Sequence, residues 1–359
     1  MKKIFSALLA ATLTFSFALL FSSCGNNDFV GEVNVYNWGE YIPDGEDGSM
    51  NLEKEFEKRF KIKVNYKEFD SNETLYAQLK SGNTGYDVII PSDYMISRMI
   101  EEGMLEKLNF DNIPNYVNIM EDYKKAEYDP TGEYSVPYTW GTVGIIYNKK
   151  MVTDPVDSWD ILWNEKYRDN ILMFDNPRDA FGIAVKKLGY SQNTTNEKEL
   201  EAAAAELQKQ KPLVQAYVMD QIFDKMGNEE AALAPYYAGD AITMIAENSN
   251  LGFVIPKEGT NRFVDAMVIP KDAPNKENAE KFINFMCEGE IAAEVAEYIG
   301  YSTPNQAAYD LLDDDVKNST IAYPSEEVLK NTEFFVNLPA ATNQKMQDLW
   351  VLLKTANQG

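Results

Sequence analysis

Valine and polar residues alternate from Val33 to Asn37, which predicts a first strand ending at Asn37. Leu52, Phe56 and Phe60 then share one face of a helix over residues 50–60, and 61–69 reads as a second strand. Ser71 caps a helix carrying Leu75 and Leu79, although Glu73 stands one position early for a capping box. Residues 85–92 form a buried apolar strand stopped by Pro91, and Ser92-Asp93-Tyr94 opens the next helix. A Tyr- and Asp-rich connection at 116–134 leads into a long strand, 134–148, interrupted by Gly141 and Gly144. Beyond it, helices are predicted at 159–167, 180–188, 197–209, 275–287, 290–299 and 344–355. Strands are predicted at 171–175, 241–246, 252–256 and 263–270. Strands and helices that alternate in this way build α/β layers.

The first residues are a targeting segment rather than fold. Lys2 and Lys3 precede an uncharged apolar run from Ile4 to Leu20, and Phe21-Ser22-Ser23-Cys24 ends it. The run is too short for a membrane span. Small residues before a cysteine resemble a lipoprotein signal, with Phe21 where an aliphatic residue is usual. This predicts a signal peptide at 1–23, lipidation at Cys24, a tether at 24–30 and an extracytoplasmic location. The remaining 336 residues suffice for two domains. They carry 57 acidic against 31 basic residues, a net charge of −26, which disfavours nucleic acid and favours cationic partners or simple solubility. Cys287 sits in an apolar helical pattern, so no disulfide is expected. Histidine is absent, which removes the commonest general base and a main zinc ligand. No nucleophile, phosphate-loop or metalloprotease motif occurs, and neither cofactor nor metal is expected.

Several strand ends share one chemistry. Trp38, Glu40 and Tyr41 follow the first strand; Ser92 and Tyr94 follow the third; Asn176 and Asp179, Glu247, Phe263 and Asp265, and Tyr301 follow later. Ligands of open α/β sheets bind outside the carboxyl ends of strands. Carboxylates beside aromatic rings suit an elongated molecule with ammonium ends and a hydrocarbon middle. Each residue alone reads more readily as a solvated loop acid or a core aromatic than as a ligand contact; their conjunction points to a cleft.

Over nearly the whole chain after the leader, the sequence resembles the spermidine/putrescine-binding proteins of polyamine ABC transporters. The resemblance rests on Tyr36-Asn37-Trp38 with Tyr41, Ser71-Asn72-Glu73-Thr74, and Tyr86-Asp87-Val88-Ile89-Ile90-Pro91-Ser92. It also rests on Val136-Pro137-Tyr138-Thr139-Trp140-Gly141, Lys187-Leu188-Gly189-Tyr190-Ser191, Ile255-Pro256-Lys257-Glu258-Gly259, and Ile299-Gly300-Tyr301 with Thr303-Pro304-Asn305. It implies a type II periplasmic-binding-protein clamshell, in which two lobes of mixed sheet and flanking helices are joined by crossing hinge strands. The expected lobes are 31–142 with 263–308, and 143–262 with 309–359. The implied protein is a monomeric, lipid-anchored receptor that passes polyamine to a membrane permease.

The family's site residues match Trp38, Glu40, Tyr41, Ser92, Tyr94, Asp265 and Tyr301, with Asp265 on a terminal ammonium. Asp179 stands for a family glutamate. Departures from the family pattern are Asn176 for an acid, Phe263 for a tryptophan, Phe335 for a glutamine, and Ala246 with Glu247 where a cleft tryptophan is usual. The same fold binding another small cation or amine, a secreted carboxylate hydrolase using Glu40, Asp179 or Glu247, and a surface adhesin are the alternatives.

Overall fold

The computed structural model describes residues 29–82 and 84–355. The expected signal peptide at 1–23, Cys24 and most of the tether lie outside the described residues. Ten strands follow in chain order: β1 (Gly31–Trp38), β2 (Ile62–Phe69), β3 (Val88–Ile89), β4 (Ser135–Asn148), β5 (Ile171–Phe174), β6 (Val214–Val218), β7 (Leu233–Tyr237), β8 (Leu251–Val254), β9 (Thr260–Val268) and β10 (Thr332–Glu333).

In the first lobe β1 lies parallel to β2 and β3, and β3 meets β9 antiparallel. In the second lobe β5 lies parallel to β6 and β7. Strands β4 and β9 join the lobes, running antiparallel to each other, and β4 continues into the second lobe beside β7 and β8. The fourteen residues of β4 span roughly 45 Å at ~3.3 Å each, enough to serve both lobes. The resulting order, β2-β1-β3-β9-β4-β7-β5-β6, is one continuous mixed sheet folded around a cleft.

Alternation along β1 explains the first lobe's two layers. Val33 and Val35 pack with Leu52, Phe56, Phe282 and Phe285 on one face, while Tyr36 joins Leu75, Ile89, Met95 and Met99 on the other. The second lobe is built around Ile145, Trp159, Phe174, Phe181 and Leu207, and the helix Ala340–Thr355 closes it through Met346 and Trp350. Ser71 caps the helix Asn72–Lys80 as its side chain suggested, accepting from the Thr74 N–H at 3.1 Å.

Four expectations change. Residues 241–246 lie within a helix, Ala238–Glu247, whose buried Ala238, Ala241 and Met244 recur every third position. Tertiary packing there overrides the β-branched run Ile242-Thr243. Residues 159–167 form two short 3-10 turns rather than one helix. Gly144 does not interrupt β4; it lets Phe253 of β8 lie against the strand, since a Cβ there would stand 2.3 Å from that ring. Residues 309–329 pack on the first lobe, through Tyr309, Tyr323 and Leu329, and the chain passes to the second lobe only between Phe334 and Val336.

Candidate functional site

The carboxyl ends of β1, β2, β3, β5, β6 and β7 all face the cleft between the lobes. Seven carboxylates line the space: Glu40, Asp70, Asp93, Asp179, Asp220, Asp240 and Asp265. Among the described residues lining it there is no lysine or arginine. Trp38, Phe69, Tyr94, Tyr236, Tyr237, Phe263, Tyr301 and Phe335 supply aromatic walls.

Asp265 sits at the middle of β9, opposite Thr139 of β4, so both crossing strands fix it. The Tyr41 hydroxyl donates to its Oδ2 at 2.6 Å and lies 2.7 Å from the Thr139 hydroxyl. Its Oδ1 is buried and has no well-formed hydrogen bond. Burial raises the carboxyl to about 6, against the Ser92 and Tyr41 hydroxyls, which hold it down. A half-satisfied carboxylate in a dry site is costly unless a cation completes it. Around it the Tyr301 ring stands edge-on to Tyr41 at 5.3 Å, and Phe263 stands edge-on to Tyr237 at 5.5 Å.

Two further acids face the same space from the second lobe. Asp179 lies in the first turn of the helix Pro177–Lys187 and accepts from the Tyr237 hydroxyl at 2.9 Å. Burial pushes it to about 7. Asp240, in the first turn of Ala238–Glu247, is pushed by burial to about 8, with the Tyr301 hydroxyl opposing. Glu40 occupies a left-handed turn at φ 52° and is raised by partial burial and then by Glu68, Asp44, Asp220 and Glu46. Arg178 does not neutralise this set directly. Its guanidinium donates to the Gln192 carbonyl and Asn193 Oδ1 and stacks 4.1 Å from the Phe335 ring.

The lobes meet through two glycines. Gly239 opens the second lobe's helix against the Tyr301 ring, where a Cβ would fall 2.0 Å from Cδ2. Gly300, in the left-handed conformation at φ 72°, ends the helix Gly289–Ile299 against the Gly239 carbonyl.

Of the residues singled out from sequence, Trp38, Glu40, Tyr41, Ser92, Tyr94, Asn176, Asp179, Phe263, Asp265 and Tyr301 all line the cleft. Ser92 is bound to Asn72 through both its N–H and its hydroxyl, and Tyr94 donates to Glu73 at 3.0 Å. Asn176 has a second duty, capping its helix through the Arg178 N–H. Glu247 does not join them: it is exposed at the far end of its helix, as is Ala246. The aromatic residue at the end of that lobe's strand is Tyr237. Asp93, Asp220, Asp240 and Tyr237 were missed. Tyr236-Tyr237 followed by Asp240 was the available signal, hidden by reading the strand eight residues too late.

Known proteins resemble this one over nearly its full length. The family model of bacterial extracellular solute-binding proteins matches residues 51–324. A spermidine/putrescine-binding periplasmic protein of Escherichia coli is 39% identical over 89% of this chain and 91% of its own. The putrescine-binding periplasmic protein SpuD of Pseudomonas aeruginosa is 36% identical over 99% of each. A solved structure described as a putative spermidine/putrescine ABC transporter from Listeria monocytogenes superposes with a TM-score of 0.86. It shares 40% identity, over 90% of this chain and 99% of that one.

Proposed function

The chain belongs to the bacterial extracellular solute-binding protein family, and from that premise we propose that it captures a polyamine between its lobes for delivery to an ABC permease. The observation that carries this reading is the buried, half-bonded Asp265 in an aromatic cavity of carboxylates without lysine or arginine. A polyammonium chain supplies what that cavity lacks. One ammonium completes Asp265 at Oδ1, and a second amine meets Asp179 or Asp240 from the other lobe. The methylenes between them lie against Phe263, Tyr301, Tyr237 and Trp38. Because both lobes contribute, the full set of contacts exists only when the hinge is closed, and ligand shifts the population toward that state.

No covalent step is needed, so the protein acts as a receptor and not as an enzyme. The lobes divide as 31–142 with 263–308, and 143–262 onward, with 309–329 riding on the first lobe. We assign Cys24 as the lipidated N-terminus after removal of 1–23, which tethers the receptor outside the cytoplasm as a monomer. No helix among the described residues is long and apolar enough to cross a membrane.

The test is calorimetric titration of protein unfolded and refolded to strip bound amine, using spermidine, putrescine, spermine and cadaverine. The reading expects micromolar or tighter binding of at least one, about −8 kcal/mol or better. Heats indistinguishable from dilution for all four would overturn it.

A further inference from the structure

Strand β9 has two faces, and the cleft occupies only one. Phe263 and Asp265 point into the cleft, while Arg262 and Val264 point to the opposite side. There a second cavity, of about 630 Å³, opens behind the hinge. Its walls include Trp140 of β4, Tyr123 and Tyr128 of the first lobe, and Phe334 in the last crossing segment.

Arg262 is the unusual group in it. The guanidinium stacks 4.2 Å from the Phe334 ring, and its Nε is buried without a hydrogen-bond partner. Among the described residues no carboxylate pairs with it, and burial lowers its proton affinity. The acids of the rim are elsewhere engaged or solvated. Glu101 accepts from Asn337 at 2.7 Å, and Asp122 and Glu127 are exposed. Asp93, at the back wall, already accepts from the Tyr94 and Val264 N–H groups. An arginine held on an aromatic ring with its donors free is a fork for a carboxylate.

We propose that this rear cavity is a second ligand site, which takes a small monocarboxylate with an aromatic body, its carboxylate on Arg262 and its ring among Tyr123, Trp140 and Phe334. Phe335 and Asp93 line both cavities. The rear site is walled by β4, β9 and the last crossing segment together, so its occupant is coupled to the closure of the lobes. The rear walls are built the same way whichever small cation or amine the front cleft takes.

Benzoate is the probe, with benzamide as its neutral match, titrated into the purified, polyamine-free protein and followed by ligand-observed NMR. Benzoate should saturate with a dissociation constant of about 1 mM or tighter. Benzamide should bind at least tenfold more weakly, and Arg262→Gln should reduce benzoate to the benzamide level. Absence of saturation by benzoate, equal affinity for benzamide, or an unaltered affinity in a folded Arg262→Gln protein would each overturn the proposal. Should that variant fail to fold, the benzoate-to-benzamide ratio on the unaltered protein decides alone.

Discussion

The two faces of β9 carry opposite problems three residues apart. In front, Asp265 is a carboxylate that lacks a cation; behind, Arg262 is a cation that lacks a carboxylate. The pleat of a strand turns neighbouring side chains to opposite sides, so the two charges do not neutralise one another. The front face is backed by six more carboxylates drawn from both lobes, whereas the rear face sets aromatic rings around Arg262 and keeps its acids at the rim and back wall. Burial alone did not produce this difference, because both groups are at least half-buried. It arises from what each lobe brings to its side of the hinge. In a cleft so short of positive charge the carboxyls hold on to their protons, with Asp265, Asp179 and Asp240 raised by burial.

The largest break in the comparison should come from Asp265→Asn. Removing one partner of a buried, hydrogen-bonded charge pair costs ~2 kcal/mol or more, at least a thirtyfold loss of polyamine affinity by calorimetry. An affinity within threefold of the parent would remove Asp265 from the site. Gly239→Ala should follow, at about tenfold, because its methyl group would fall 2.0 Å from the Tyr301 ring across the contact between the lobes. Ligand-free melting should hardly change, while the ligand-induced rise in Tm should shrink; a large drop in ligand-free Tm would instead mean a fold defect.

Acidity sharpens the comparison next. Asp265, Asp179 and Asp240 stand at about 6, 7 and 8 in the empty cleft, all raised by burial. An ammonium must displace the protons it meets, so affinity should fall at least about twentyfold from pH 8 to pH 6 if Asp265 and Asp179 both give theirs up, with proton release visible as a dependence on buffer ionisation enthalpy. Stability of the ligand-free protein should run the other way. The folded state holds protons that the unfolded chain loses above pH ~4, so the cost is absent below that and complete above pH 8. Ligand-free Tm should therefore be higher at pH 5.5 than at pH 8; the reverse order would place these carboxylates in contact with water. The smallest effect belongs to Tyr94→Phe, which deletes the bond to Glu73 and leaves the ring against Phe335. One neutral-to-acid bond corresponds to roughly a three- to tenfold loss of affinity, measured by the same titration.

Much of this was legible from the chain. The alternation at Val33 to Asn37, the cap at Ser71, the stop at Pro91 and the aromatic-acidic turns are local patterns, and local geometry follows from them. The cleft residues proposed from strand ends lie together in the structure, with Glu247 the exception. It failed because Ala241 to Ala246 could be read with a period of two or of three. Only packing of Ala241 and Met244 against the second lobe selects the helix. That one choice moved the lobe's cleft acid from Glu247 back to Asp240.

By itself, then, the sequence determined the strands and helices that repeat a clear period, the acidity of the surface, and which residue types stand at the strand ends. The tertiary structure alone decided which of them meet. Tyr41 reaches Asp265 across 224 residues, and no short-range pattern encodes such a contact. It depends on two crossing strands whose register is set by pairing along their whole length. The same register turned Arg262 to the rear and left it unpaired, because side-chain direction along a strand is local while the environment it points into is not.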